Sequence, residues 1–201
     1  MTLTEDQGLD VLKFKQAELN YTANYCEENI YKLCEEIQTK RPDLLEYFHV
    51  VFISNKNRMV PLWQQRAGRE EDHMVVWDYH VVLYFEKEGE KALVYDFDTL
   101  LPFPTPADVY ATNTFKPHLV FNDRYHHAFR LIPAKVYLES FQSDRSHMLK
   151  EDGCYIAQPP SYPIISKGQH NLDEFISMES CLYGNVLSNN QFYDRLFNTL
   201  D

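Results

Sequence analysis

Two apolar runs separated by a charged segment occupy the middle of the chain. The first covers residues 77–85 and the second residues 92–98, and both are rich in β-branched and aromatic side chains. The segment between them, residues 86–91, reads Glu-Lys-Glu-Gly-Glu-Lys. This pattern predicts a β-hairpin. Because both arms are apolar on both faces, we expect them at the centre of a sheet that is covered on each side.

The predicted hairpin carries a histidine and an aspartate, His80 and Asp96, at matching positions of its two arms. With the apex at Glu88, His80 and Asp96 each lie eight residues from the turn, and they therefore oppose each other. Opposed side chains of an antiparallel pair share a face, with Cβ atoms about 4.5–5.5 Å apart. A buried imidazole and a buried carboxylate satisfy each other at this separation. Taken alone, such a pair is most simply explained as a link between two strands.

An amphipathic helix is predicted upstream of the hairpin. Apolar side chains between residues 30 and 37 follow the i, i+3, i+4, i+7 spacing, and Pro42 ends the pattern. Cys26 then falls in the first turn, where backbone N–H groups and the helix dipole stabilise a thiolate. Cys34 lies on the apolar stripe and is predicted to belong to the core.

The remaining segments alternate between short strands, loops and short helices. We expect a second hairpin formed by residues 47–54 and 59–63, a strand at 128–132, and helices at 134–141, at 171–178 and from 188 onward. This order predicts a single domain, residues 1–201, of the α/β (α+β) class, with a largely antiparallel twisted sheet flanked by helices. Residues 1–22 carry mixed charge, and we expect a loose N-terminal arm or a short docked helix there.

Composition excludes several classes of function. The net charge of −11 and the lack of a Lys/Arg cluster argue against nucleic-acid binding. No apolar run approaches the roughly 20 residues that span a bilayer, and the N-terminus lacks the order of a signal peptide. The cysteines (Cys26, Cys34, Cys154 and Cys181) show neither CxxC spacing nor a disulfide-dense pattern. We therefore expect reduced thiols in a cytosolic or nuclear protein.

Cys26, His80 and Asp96 together match the requirements of a thiol hydrolase. The cysteine supplies a nucleophile, His80 a general base and acid, and Asp96 a carboxylate that orients the imidazole. Their order, with the cysteine on a helix and the other two on neighbouring strands, resembles the papain and transglutaminase arrangement. The competing interpretation of Cys26 is a small buried residue with no reactivity.

The other histidines do not indicate a metal site. His126, His127 and His147 belong to no HxH or HExxH pattern, and we expect them on the surface. His170 lies in a polar loop and needs no role. The sequence therefore predicts no metal.

Longer motifs extend from the predicted helix almost to the C-terminus. They are YCEENIYKLCE at residues 25–35, VFISN at 51–55, WDYHVV at 77–82, YDFDT with LPFP at 95–104, SDRSHM at 143–148 and FISM at 175–178. In this order they resemble the family of protein N-terminal glutamine amidohydrolases. The resemblance places the catalytic residues of that family on Cys26, His80 and Asp96.

The resemblance also implies further properties. They are a monomeric α/β fold with a papain/transglutaminase-like core, no cofactor, and a location in the cytoplasm and nucleus. The implied reaction converts an N-terminal glutamine of a protein or peptide to glutamate and releases ammonia. This change prepares the substrate for arginylation and degradation through an N-degron.

Two questions stay open at the level of sequence. The group that holds the substrate's α-ammonium is not identified, and Glu27, Glu28, Asp78 and Asp98 are equal candidates. The same three catalytic residues also suit a cysteine peptidase or a transglutaminase-like acyl transferase. A third alternative is a non-catalytic module that binds protein N-termini.

Overall fold

The fold is built from antiparallel strands with helices packed on both faces. The structure, a computed structural model, describes residues 14–166, 168–179 and 182–197. The α-helices are α1 (Cys26–Lys40), α2 (Ala107–Tyr110), α3 (Ala134–Ser140), α4 (Leu172–Ile176) and α5 (Asn189–Phe197). The strands are β1 (Phe48–Ser54), β2 (Val60–Leu62), β3 (Val75–Trp77), β4 (His80–Phe85), β5 (Leu93–Tyr95), β6 (Thr105–Pro106), β7 (Ala128–Pro133) and β8 (Asn185–Ser188). A π-helical turn covers Ala111–Phe115, and 3-10 turns cover Gln16–Glu18, Pro42–Tyr47, Asp123–Tyr125 and Ser146–Met148.

The main sheet confirms the predicted fold class. Six strands are ordered β6-β5-β4-β1-β7-β8, and every neighbouring pair is antiparallel. Helices α1, α3 and α4 contact one face, while α2 and α5 contact the other. Val50 and Phe52 of β1 belong to the core on the first face, and Val51 and Ile53 belong to the core on the second. Apolar residues at successive positions are explained by burial on both sides.

The predicted second hairpin is wrong. Strand β1 pairs with β4 and β7, so both of its edges are occupied, and β2 pairs with β3 in a separate two-stranded sheet. The Asn55 side chain donates to the carbonyls of Met59, Arg124 and His126. These bonds hold the turn against a distant loop, which sequence periodicity does not reveal.

The central hairpin forms, but in a different register. Leu83 pairs with Tyr95 and Phe85 with Leu93, which centres the turn on Gly89. Gly89 has a φ of 75°, a left-handed conformation that glycine adopts without strain. The predicted register is therefore wrong by two residues. Because side chains alternate with a period of two, this even shift keeps His80 and Asp96 on the same face.

The N-terminal residues that the structure describes are docked on the domain. Phe14 and Leu19 pack against the core. Gln16 donates to the Phe97 carbonyl at 3.0 Å, and the Tyr21 hydroxyl donates to Asp98 at 2.7 Å. Residues 14–22 therefore contribute to the region around β5, whereas the rest of the predicted arm lies outside the described residues.

Both helices predicted near the C-terminus form, and the first is shorter than predicted. Helix α4 ends at Ile176, and the Asn171 side chain forms no cap. It instead accepts from the Gln142 N–H and donates to the Ser140 carbonyl. Helix α5 begins after Ser188, as predicted. In the described part of the chain, no helix has the length and apolarity required to cross a membrane.

Candidate active site

A cavity of about 340 Å³ lies where the first residue of α1 meets the first residue of β4. Cys26 and His80 both line it, and Asp98 closes one side. The cavity is also lined by Trp77, Asp78, Tyr79, His147 and His170. The structure thus brings the predicted nucleophile and the predicted base to one cavity.

Local hydrogen bonds fix the position of Cys26 at the start of α1. Asn29 forms a reciprocal pair with Thr22: its side-chain oxygen accepts from the Thr22 N–H at 2.8 Å, and its amide donates to the Thr22 carbonyl at 2.9 Å. Asn24 between them adopts a left-handed φ of 65°. The helix therefore begins at Cys26, as the sequence predicted.

The thiol of Cys26 is protonated in the free protein. Burial raises its pKa well above the usual value, and the nearby carboxylates of Glu27 and Asp98 raise it further. The Val81 N–H lowers the pKa by a smaller amount. This balance differs from the sequence expectation, in which the helix start stabilises a thiolate. The thiol donates to Glu27 Oε2 at 3.6 Å, and it is not hydrogen-bonded to His80.

His80 is held firmly in one orientation. Its Nε2 lies 2.8 Å from Asp96 Oδ1, and both side chains are buried. The Trp77 ring stacks on the imidazole with centroids 5.6 Å apart and planes 15° from parallel. Because Asp96 occupies Nε2, Nδ1 is the atom available to receive a proton.

Asp96 is surrounded by hydrogen-bond donors. Besides His80, its oxygens accept from the Asp98 N–H at 2.9 Å, the Tyr110 hydroxyl at 2.8 Å and the Gln65 amide at 3.2 Å. Tyr110 comes from α2 and Gln65 from the loop before β3. Neither residue was predicted from the sequence, because nothing in their local patterns indicates that they converge on Asp96.

The Asp96 carboxylate stabilises the protonated form of His80. Burial alone would lower the pKa of His80, but the Asp96 carboxylate outweighs it and the pKa is raised. Burial would likewise raise the pKa of Asp96, but His80 and the other donors lower it. Asp96 is therefore ionised and favours the imidazolium that forms when His80 accepts a proton.

Two of the four candidate acids are poorly placed to hold a buried cation. Glu28 is fully buried and accepts from Arg145 Nε and Nη2 at 3.0 and 2.8 Å. Arg145 also donates to the Pro160 and Tyr162 carbonyls. Glu28 is thus already paired with a cation. Asp78 lies exposed on the rim, where it accepts from the Tyr79 N–H.

The other two candidates are buried next to Cys26. Glu27 Oε2 accepts from the Tyr79 hydroxyl at 3.0 Å, while Oε1 has no hydrogen-bond partner. Asp98 is 8% exposed and accepts from the Tyr21 hydroxyl. Burial and the neighbouring Asp96 raise the pKa of Asp98. Asp98 lines the cavity, whereas Glu27 contacts three residues that line it, Cys26, Tyr79 and His147.

The expectation that His126, His127 and His147 lie on the surface is wrong for His127 and His147, and His170, for which no role was expected, also lines the cavity. His147 and His170 line the cavity with their rings stacked 5.2 Å apart. His127 is buried, with its ring nitrogens 2.8 Å from the Pro61 carbonyl and 3.0 Å from the Tyr193 hydroxyl. Burial lowers the pKa of His127 to about 4. The pair of Arg145 and Glu28 positions the loop that carries His147, a long-range contact without a local signal.

One group of side chains has a metal-ligating composition. Ligand atoms of His80, Asp96 and Asp98 lie within 4.8 Å of one another. Hydrogen bonds within the group, together with the Tyr21 hydroxyl, already account for its arrangement. An ion there would compete with the hydrogen bond that orients His80.

Most of the chain is similar to proteins of one family. A model of the N-terminal glutamine amidase family matches residues 21–196. A Drosophila mojavensis protein named "Protein N-terminal glutamine amidohydrolase" is 47% identical over 173 residues, which cover 85% of this chain and 84% of that protein. Proteins of the same name from Drosophila ananassae and Drosophila erecta are each 46% identical over the same length and coverage. The chain belongs to the N-terminal glutamine amidase family.

Proposed function

We propose that this protein hydrolyses the side-chain amide of an N-terminal glutamine in proteins or peptides, forming glutamate and ammonia. The observation that carries this proposal is the shared cavity, which Cys26 lines together with an imidazole that Asp96 holds at 2.8 Å. The family supplies the substrate class, because relatives are named N-terminal glutamine amidohydrolases.

In the first step Cys26 attacks the side-chain carboxamide carbon. His80 takes the thiol proton at Nδ1, and Asp96 stabilises the imidazolium. The first N–H groups of α1 have no intrahelical acceptor, so they are available to the oxyanion. His80 then gives the proton to the departing nitrogen, ammonia leaves, and a thioester remains on Cys26.

In the second step water hydrolyses the thioester. Neutral His80 takes a proton from the water, whose oxygen attacks the acyl carbon. The thiolate leaves and recovers the proton from the imidazolium. The glutamate side chain is released with Cys26 and His80 in their starting states.

Selectivity for glutamine over asparagine follows from the length of the substrate side chain. An amide carbon must lie within about 3–3.5 Å of the sulfur for attack. If the substrate terminus is fixed, a side chain that is one methylene shorter leaves its carbon beyond this distance. Glu27 and Asp98 are the acids that support such a fixed terminus, because both are buried next to Cys26.

We further propose that the enzyme works as a monomer in the cytoplasm and nucleus, where its product enters an N-degron pathway. The described cysteines Cys26, Cys34 and Cys154 are free thiols, in keeping with a reducing compartment. Gel filtration tests the monomer, and fractionation of cells tests the location.

Mass spectrometry of a peptide that begins with glutamine tests the reaction. We expect a gain of about one dalton with release of ammonia and an intact backbone. Cleavage of the backbone would identify a peptidase, and transfer to an added amine would identify an acyl transferase. Binding without turnover would identify a non-catalytic module.

Acetylation of the glutamine α-amine tests the fixed terminus. We expect the N-acetylated peptide, and a peptide with one residue before the glutamine, to lose nearly all kcat/KM. Equal turnover of the free and acetylated peptides would identify a general glutamine deamidase instead.

A further inference from the structure

The Cys26 thiol donates to a carboxylate and not to the base that must receive its proton. The thiol donates to Glu27 Oε2 at 3.6 Å, although His80 lines the same cavity. Attack on an amide requires this proton to move to His80 Nδ1. A change near Glu27 must therefore precede the chemical step.

Glu27 is a buried carboxylate whose two oxygens are only partly hydrogen-bonded. Its side chain is fully buried, and Oε2 receives only the Tyr79 hydroxyl and the thiol. Oε1 receives no hydrogen bond, because His147 Nε2 lies 3.4 Å away without suitable alignment. A buried carboxylate in this state attracts a cation strongly, since water does not screen it.

The groups that surround Glu27 also form the cavity wall. Cys26, Tyr79 and His147 each contact Glu27 and each line the cavity. A cationic group that enters beside them comes close to the carboxylate and to the sulfur together. The N-terminal glutamine carries such a group, four bonds from its carboxamide carbon.

We infer that Glu27 holds the Cys26 proton in the free enzyme, and that the α-ammonium group of the substrate frees this proton by pairing with Glu27. The inference rests on the proposed function, because it assumes an N-terminal glutamine as substrate. Glu27 is a positioning residue in this scheme, since it acts through Cys26.

The charges balance in each state. The free enzyme contains the Glu27 carboxylate, a neutral thiol and neutral His80. After binding, the ammonium offsets the carboxylate, and the thiol proton moves to His80 to give a thiolate and an imidazolium. No proton is exchanged with solvent. An acetylated terminus is neutral, so the thiol stays protonated when such a substrate binds. The enzyme therefore selects a free terminus by activating the thiol as well as by binding.

Alkylation of Cys26 by iodoacetamide, followed across pH by peptide mapping, tests the first half of the inference. Glu27→Gln keeps the size of the side chain and removes its charge. We expect the midpoint of alkylation to fall, with a rate at pH 7.5 about tenfold higher than in the wild type. Tyr79→Phe keeps the charge of Glu27 and removes the hydroxyl that donates to it. The alkylation midpoint should therefore rise. Glu36→Gln, on the same helix, is the control and should match the wild type.

The ratio of kcat/KM for free and N-acetylated glutamine peptides tests the second half. We expect this ratio to fall at least about tenfold in Glu27→Gln. Damage to the fold alone would lower both values equally and keep the ratio. An unchanged ratio, or an unchanged alkylation midpoint in Glu27→Gln, would overturn the inference.

Two further outcomes are also decisive. If Glu27→Gln does not fold, Tyr79→Phe carries the alkylation test, and a midpoint that does not rise overturns the inference. If the wild type releases no ammonia from the free peptide, the proposed function fails, while alkylation still reports on Glu27 and Cys26.

Discussion

Glu27 and Glu28 are neighbours in the first turn of α1, and both are fully buried, yet their surroundings differ. Glu28 is paired through two nitrogens of Arg145, whose remaining donors reach backbone carbonyls. Glu27 contacts the nucleophile and keeps one oxygen without a hydrogen bond. We call these the clamp side and the cavity side of the helix start. A buried carboxylate that is paired with a cation, such as Glu28, supports the fold. A buried carboxylate without such a partner, lying beside a thiol as Glu27 does, is available for chemistry.

The largest expected effect is on the cavity side. Cys26→Ala should reduce ammonia release to background, because no nucleophile remains to form the thioester. Its thermal unfolding should stay close to that of the wild type, since Cys26 is only partly buried. Turnover by the variant would contradict the assignment of Cys26.

The next largest effect concerns the orientation of His80. Asp96→Asn should lower kcat by about 10⁴-fold, the size of the corresponding change in a serine protease, because Asn favours the wrong tautomer. Activity requires neutral His80 as base, so kcat/KM should rise with pH through the His80 pKa, which Asp96 raises. Loss of the carboxylate should move this rise to lower pH. A small loss of kcat, with the rise unmoved, would show that another group orients the ring.

The clamp side should respond in stability. Arg145→Met leaves Glu28 buried without a cation and should lower the free energy of unfolding by about 3–5 kcal/mol. Urea unfolding measures this loss. Below its unfolding temperature the variant should keep the wild-type preference for a free N-terminus. A changed preference would show that the two sides are not separate.

The smallest effect is expected deeper in the same helix. Cys34 is fully buried in the core, so Cys34→Ala should cost about 1–2 kcal/mol of unfolding free energy. Ammonia release at 25 °C should stay unchanged. Reduced kcat without reduced stability would contradict a purely structural role for Cys34.

Local patterns predicted the parts of the site that depend on periodicity. The apolar spacing predicted α1 and placed Cys26 at its start, and the two runs around Gly89 predicted the central hairpin. The pairing of His80 with Asp96 is confirmed even though the register differs, because a two-residue shift preserves the face.

Long-range contacts account for what sequence did not predict. Strand β2 pairs with β3 because β4 and β7 already occupy both edges of β1. Tyr110 and Gln65 reach Asp96 from separate segments, and His147 reaches Glu27 from a loop that Arg145 positions. Spacing along the chain carries no information about such convergence.

Rapid-quench mass spectrometry of the wild-type enzyme with a glutamine-initiated peptide tests the central claim most directly. We predict a transient adduct on the tryptic peptide that contains Cys26, with the mass of the substrate minus ammonia. It should form with the first ammonia released and decay as the glutamate product appears. Ammonia release without this adduct, or with an adduct on another residue, would contradict Cys26 as the nucleophile.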